Sequence, residues 1–222
     1  DPVTGADKRL QATRDPDPEL RAAAAESVAG LSAEKRVRFL GPLLSDPVRA
    51  VRIAAARNLS SLQEGQLDPV LKQAFGAALD EYIKAQEVAL DMPGAQFNLA
   101  VVYENTGRRD LAERHYLGAL RIDPDFTVAR ANLAQLYASS SRNADAEKVL
   151  ADGLDRRPQQ GELQYSLGLL LAEEKRMKEA TQALSRAAKL LPNRADVQYN
   201  YGLALEQAGQ SDQAEAALLR AQ

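Results

Sequence analysis

An all-α fold, a right-handed α-α superhelix of stacked helical hairpins, is what this sequence predicts, and three observations carry the prediction. Pro124, Pro158 and Pro192 are spaced by 34 residues and then by 34 again, and a fixed period of that size marks a helical-repeat array. On the same frame Leu99, Leu133, Leu167 and Tyr201 share one position and Ala100, Ala134, Gly168 and Gly202 the next; Tyr103, Tyr137, Leu171 and Leu205 share a third. Large apolar residues thus meet small ones at helical spacing, which lets two helix axes approach closely. The third observation is a second period, of 31 residues, in the first part of the chain.

Residues 1–66 carry that shorter period. Asp15-Pro16 and then L-R-A-A-A-A-E-S-V-A-G-L, to Leu31, align with Asp46-Pro47 and then V-R-I-A-A-A-R-N-L-S-S-L, to Leu62. Leu20 pairs with Val51, Arg21 with Arg52 and Val28 with Leu59. The aspartate can cap each helix, and proline suits a first helical turn. Ser32 to Leu44 reads as the helix between the copies, with Val37, Leu40 and Leu43 or Leu44 facing inward. No convincing partner helix precedes Leu10, so the array is expected to begin frayed or cut there. A D-P turn, an arginine, an alanine run and a terminal leucine resemble HEAT repeats, which implies stacked helical hairpins.

Residues 67–92 form the connection. Asp68-Pro69 opens a helix expected to run to about Leu90. Ala78, Tyr82 and Ala85 fall 34 residues before Ala112, Tyr116 and Ala119, so this segment reads as helix B of a degenerate repeat. No Gly/Ser-rich or proline-rich spacer separates it from its neighbours.

Residues 93–222 divide into four units, 93–126, 127–160, 161–194 and a truncated 195–222. Ala112, Ala146, Ala180 and Ala214 mark helix B of each, as do Tyr116, Leu150, Leu184 and Leu218, and then Ala119, Gly153, Ala187 and Ala221. Each proline stops a helix. Gly107 and Gly209 sit where the A-to-B turn needs a positive φ. Ser141 and Lys175 replace them in the middle units, so those turns are expected to differ. One unit cannot bury its own apolar face, and stacking supplies the core. This pattern resembles the tetratricopeptide repeat.

Composition removes several functions. Net charge is −3, with 12 basic and 14 acidic residues in 1–92 and 16 and 17 in 93–222. Neither part carries the basic excess of a nucleic-acid binder. No apolar run approaches the ~20 residues of a membrane helix, so no direct membrane insertion is expected. With no cysteine, disulfides, thiolate zinc and covalently attached haem are excluded from this chain. That fits an oxidising compartment, although cytoplasmic proteins also lack cysteine at times. His115 is the single histidine; nothing nearby supplies the nucleophile and orienting group that a catalytic base requires. One histidine without cysteine makes no transition-metal set. The expectation is a non-enzyme with no cofactor of its own.

The tetratricopeptide resemblance implies that helix A of each unit lines an inner groove. Carried across, the groove residues are Phe97, Asn98, Val101, Glu104 and Asn105, then Ala131, Asn132, Gln135 and Ser139. Tyr165, Ser166, Leu169 and Glu173 follow, then Tyr199, Asn200, Leu203, Glu206 and Gln207. Asn98, Asn132 and Asn200 occupy one position, with Ser166 in the remaining unit. An amide donates and accepts at once, so such a row can bond the backbone of an extended peptide; it can equally support helix packing. Phe97, Tyr165 and Tyr199 would supply apolar pockets. Family members that hold chaperone tails use groove lysines and arginines, whereas the corresponding positions here are Phe97, Ala131, Tyr165, Val101 and Gln135, so a two-carboxylate clamp is not expected.

The order of parts, with F-G-A-A-L-D-E-Y-I-K-A-Q and then D-M-P-G-A-Q-F-N-L-A-V-V-Y, resembles the carboxyl-terminal part of bacterial multihaem c-type cytochromes. That implies a periplasmic home and docking of electron-transfer or assembly partners; haem would belong to a domain upstream of Asp1. The start at Asp1 reads as a processed protein or an excised piece. The end at Gln222 is expected to leave Ala214, Ala217 and Leu218 as an apolar stripe open to solvent. Trimming is the first account of it and a homodimer through that uncapped helix the second. The functional expectation is a non-catalytic scaffold binding a protein or peptide in the concave groove. Its alternative is a structural or dimerisation arm of a multihaem cytochrome with no peptide-binding groove.

Overall fold

Prolines and aspartates punctuate a chain whose regular elements, among the described residues, are all helical. The computed structural model describes residues 5–62 and 65–221, the side chains of residues 5–8 excepted. The helices are α1 (Gly5–Ala12), α2 (Pro18–Glu26), α3 (Ala33–Leu40), α4 (Arg49–Leu59), α5 (Pro69–Glu87), α6 (Pro93–Asn105) and α7 (Arg109–Ile122). They continue with α8 (Thr127–Ser139), α9 (Asn143–Arg156), α10 (Gly161–Glu173), α11 (Met177–Leu190), α12 (Ala195–Gln207) and α13 (Ser211–Arg220). The chain forms two compact units, Asp1–Ala112 and Glu113–Gln222, whose boundary falls inside α7.

In the first unit α4 packs between α2 and α5. Val28, Leu40, Val51, Ala55 and Leu59 are fully buried there, joined by Leu79 and Tyr82 of α5. Each copy of the short repeat is tied to the next by an arginine. Arg21 reaches its own turn at the carbonyls of Asp15 and Pro16 and forks onto the Asp46 carboxylate of the following copy, with Nε–Oδ2 at 2.7 Å and Nη2–Oδ1 at 3.0 Å. Arg52 repeats this on the carbonyls of Asp46 and Pro47, and its fork holds Glu81 at 3.1 and 2.8 Å. The Arg21 guanidinium holds the Asp46 carboxyl below the usual aspartate range.

Several expectations for this part are corrected. Asp15 and Asp46 do not cap helices; each accepts from the amide two residues on, Asp17 and Val48, and shapes the turn. Asp17 caps α2 instead, by accepting from Glu19 N–H. The helix expected over Ser32 to Leu44 breaks at Leu40 into a 3-10 turn, Gly41–Ser45, because Pro42 has no N–H to continue the ladder. Phe39, Leu43 and Leu44 are buried, while Val37 is only partly so. A partner helix does open the array: it is the eight-residue α1, which packs on α2 and ends where the Thr13 hydroxyl donates to Leu10 O at 2.7 Å. Leu20, aligned with buried Val51, is exposed.

In the second unit the repeat frame reads directly as burial. Leu133, Ala146, Leu150, Ala180, Leu184, Ala187 and Ala214 are all buried. The A-to-B turns do not differ as expected. Ser141 and Lys175 adopt φ of 58° and 62°, beside 75° and 74° at Gly107 and Gly209. All four turns close with one bond, from the N–H of Arg108, Arg142, Arg176 or Gln210 to the carbonyl five residues back. This helix-ending motif satisfies orphan carbonyls and demands a left-handed residue, so the geometry persists even where glycine is absent. The expected open stripe is largely covered: Ala214 and Ala217 are buried with Leu205 of α12, partly buried Tyr201 packs against them, and Leu218 is half-buried, while Leu219 is exposed.

Candidate partner-binding clefts

The predicted groove residues fall on the A helices α6, α8, α10 and α12, and the structure brings them together in two groups. Asn132 and Gln135 of α8 and Tyr165 and Leu169 of α10 line one cleft of about 310 Å³ in the second unit, with Ser166 and Glu173. Phe97, Asn98, Val101 and Asn105 of α6 line another, of about 200 Å³, in the first unit. Tyr199, Asn200 and Leu203 stand on α12 and line neither.

Within the second unit, helical spacing leaves one face of α10 and α12 unburied. Leu169 is 38% exposed, and its counterpart Leu203, 34 residues on, is 37% exposed. Tyr199 is 51% exposed. Tyr165 is held more firmly. Its hydroxyl accepts from Asn200 Nδ2 at 2.7 Å, and the Arg194 guanidinium lies 5.8 Å from its ring centre. Burial, with Asp196 adding to it, pushes the Tyr165 phenol up.

The asparagine row points its amide donors at the preceding hairpin. Asn98 Nδ2 donates to Gln86 Oε1 at 3.0 Å, Asn132 Nδ2 to Tyr116 Oη at 3.3 Å, and Asn200 to Tyr165. Asn105 donates to Ser60 Oγ at 3.1 Å. These amides fasten one repeat to the next through their N–H groups, and the acceptor function of each amide belongs to its carbonyl oxygen.

Two rows escaped the sequence reading. Gln96, Arg130 and Gln198 lie on the 34-residue frame, and each donates to the carbonyl six residues upstream, Leu90, Pro124 or Pro192. Arg130 is 7% exposed and also donates to Val149 O; a Cβ on Gly153 would meet its Cδ at 2.3 Å. Gln164 stands at the remaining frame position and is buried as well, so arginine replaces glutamine once in four and the frame was the signal for this row. The second is an ionic ladder: Arg142 on Glu113, Arg176 on Glu147 and Arg194 on Glu162. Arg36, Arg57 and Tyr82, which line the first unit's cleft, were also missed, because they belong to the shorter repeat and the connecting helix. Among the described residues no group of three His, Cys, Asp or Glu side chains is placed to hold a metal.

Sequence comparison matches residues 6–91 to HEAT repeats, and residues 73–125, 107–170 and 195–222 to the tetratricopeptide repeat. Helix α5 is therefore shared by both descriptions. No curated protein matches the chain. Among solved structures, a crystal structure of MamA is 19% identical, covering 70% of this chain and 93% of that one with a TM-score of 0.55. MamA 41-end from Desulfovibrio magneticus RS-1 is 16% identical, covering 77% and 93% with a TM-score of 0.52. At such identities the likeness concerns the fold alone.

Proposed function

We propose that this chain of HEAT and tetratricopeptide repeats is a non-catalytic scaffold that binds an extended peptide or protein segment along the A helices of its second unit. The observation that carries the reading is the cleft lined by Asn132, Gln135, Tyr165 and Leu169, continued along the frame by exposed Leu203 and Tyr199. Exposed leucine and tyrosine are apolar anchors, and the amide carbonyls beside them accept from a peptide backbone. Peptides selected from a random displayed library on the full chain would be measured by fluorescence anisotropy against Leu169→Arg and Tyr165→Ala. We expect Leu169→Arg to weaken binding about tenfold, the scale of one lost buried anchor, at an unchanged melting temperature. Equal binding by Leu169→Arg, or failure of any peptide to enrich, would reject the reading.

We further infer a periplasmic setting beside a redox partner, supported by the order of HEAT repeats, connecting helix and tetratricopeptide repeats and by the lack of cysteine. Fractionation of cells expressing the full gene product decides between periplasm and cytoplasm. The alternative, an inert dimerisation arm, predicts self-association of the full chain with no peptide bound along the A helices.

A further inference from the structure

The first unit holds three arginines in comparable settings, and they use their guanidinium edges differently. Arg21 and Arg52 each place the Nε/Nη2 edge on a carboxylate, Asp46 or Glu81, as a two-point fork. Arg36, on α3, is anchored from the other corner: its Nη1 donates to Asn58 O at 3.2 Å and to Ser61 Oγ at 2.7 Å. Its Nε is buried and meets no acceptor among the described residues. A guanidinium fixed at one corner presents the remaining edge in a set direction, and that edge matches a carboxylate in geometry and charge.

Arg36 lines the cleft of about 200 Å³ together with Arg57, Asn58, Ser61, Tyr82 and Asn98. No aspartate or glutamate is among the described lining residues. Glu26, not itself a lining residue, pairs with two that are, taking Arg57 Nη1 at 3.3 Å and Asn58 Nδ2 at 3.2 Å. Among the described residues the lining thus contains two guanidinium groups and no carboxylate, in a chain whose net charge is −3.

We propose that this cleft is a second binding site, which takes a carboxylate from an acidic segment of a partner protein on the Nε/Nη2 edge of Arg36, with Arg57 supplying further positive charge. A carboxylate entering the cleft engages Nη2, and the guanidinium swings toward it to bring the buried Nε into the fork that Asp46 completes for Arg21. Phe97 and Val101 of α6 line the same cleft and receive the aliphatic stem of the acidic residue. The site shares no residue with the cleft of the second unit, so the two assignments stand or fall separately.

The test uses the full chain and three fluorescein-labelled peptides read by anisotropy. These are a hexaglutamate amide, a hexaglutamine with a free carboxyl terminus, and a hexaglutamine amide. The hexaglutamate is expected to bind at least tenfold tighter than the hexaglutamine amide; the free-terminus peptide reports whether a chain end serves as well as a side chain. Arg36→Gln and Arg36→Lys should each weaken hexaglutamate about tenfold, since lysine keeps the charge and loses the fork. Arg57→Gln should weaken it a few-fold. Arg186→Gln on α11 controls for net charge, and Leu169→Arg should leave this binding unchanged. Should Arg36→Gln melt below the assay temperature, Arg36→Lys and Arg57→Gln carry the test. Hexaglutamate binding no tighter than hexaglutamine amide overturns the proposal, as does a folded Arg36 variant that behaves like Arg186→Gln.

Discussion

Substituting alanine for glycine at two helix-interior positions should change stability in opposite directions. Gly168 lies within α10 and Gly76 within α5, so alanine gains about 0.8–1.0 kcal/mol of helix propensity at either site. A Cβ at Gly76 meets nothing within 4 Å. At Gly168 it would stand 2.6 Å from Leu184 Cγ, 2.8 Å from Leu184 Cδ2 and 3.2 Å from the Leu184 backbone nitrogen. Carbon atoms prefer about 3.5–4.0 Å, and Leu184 is 1% exposed, so it has nowhere to turn and α10 must move away from α11. Overpacking of this kind costs typically about 1–3 kcal/mol, and a contact this short, with backbone involved, belongs in the upper half of that range. Gly168→Ala is therefore expected to lose about 1–2 kcal/mol net and Gly76→Ala to gain about 1 kcal/mol. Urea midpoints at unchanged m measure both, with melting shifts of about 2–4 °C per kcal/mol for a chain of this size. In a Leu184→Ala background the two closest contacts are gone and only the backbone nitrogen at 3.2 Å remains, so Gly168→Ala should then cost far less. A Gly168→Ala variant as stable as Gly76→Ala, or equally damaging with Leu184 truncated, would refute the close-approach account.

Other consequences are open to measurement. Ser141→Gly and Lys175→Gly should each stabilise by up to about 1 kcal/mol in urea unfolding, since the left-handed conformation costs other residues about 1–2 kcal/mol and glycine returns part of that in chain entropy. Asp46 titrates below its usual value because of the Arg21 fork, so its contribution is whole above about pH 3.9 and disappears as pH falls through the lower native value. Asp46→Asn should lose that acid-side slope in a plot of melting temperature against pH. Tyr137, buried and donating to Glu113 Oε1 at 3.0 Å, is pushed up to about 12. Its stabilisation is present below the ordinary tyrosine value of about 10 and disappears as pH rises through about 12, a slope that Tyr137→Phe should remove. Asn200→Ala should cost about 0.5–1.5 kcal/mol, the worth of its bond to Tyr165, and weaken selected peptides less than Leu169→Arg does.

The repeats were legible because packing against an identical neighbour forces the same size of residue at the same offset. Ala146, Ala180 and Ala214 are small for one reason, and the frame exposes it. Rows built from unlike side chains left no such trace. Gln96, Arg130 and Gln198 perform one task with two chemistries, a carbonyl needing only an N–H donor. The turns at Ser141 and Lys175 misled in the opposite sense: the residue changed while the backbone, held by the bond from Arg142 or Arg176, did not. The groove residues were found at helical spacing, but which of them share a cleft was not, because clefts depend on neighbouring helices.

From the sequence alone came the all-α class, the two repeat periods, the buried frame and the absence of cysteine. Those follow from local rules, since helical period, proline and the volume of a side chain act within a few residues of where they stand. Tertiary structure decided where the polar groups were spent: asparagine amides on the preceding hairpin, arginine forks on the next repeat's acid, and one guanidinium, at Arg36, on no carboxylate among the described residues. A hydrogen bond is made across space between residues far apart in the chain, as between Arg21 and Asp46, and no local pattern encodes which donor remains for a partner.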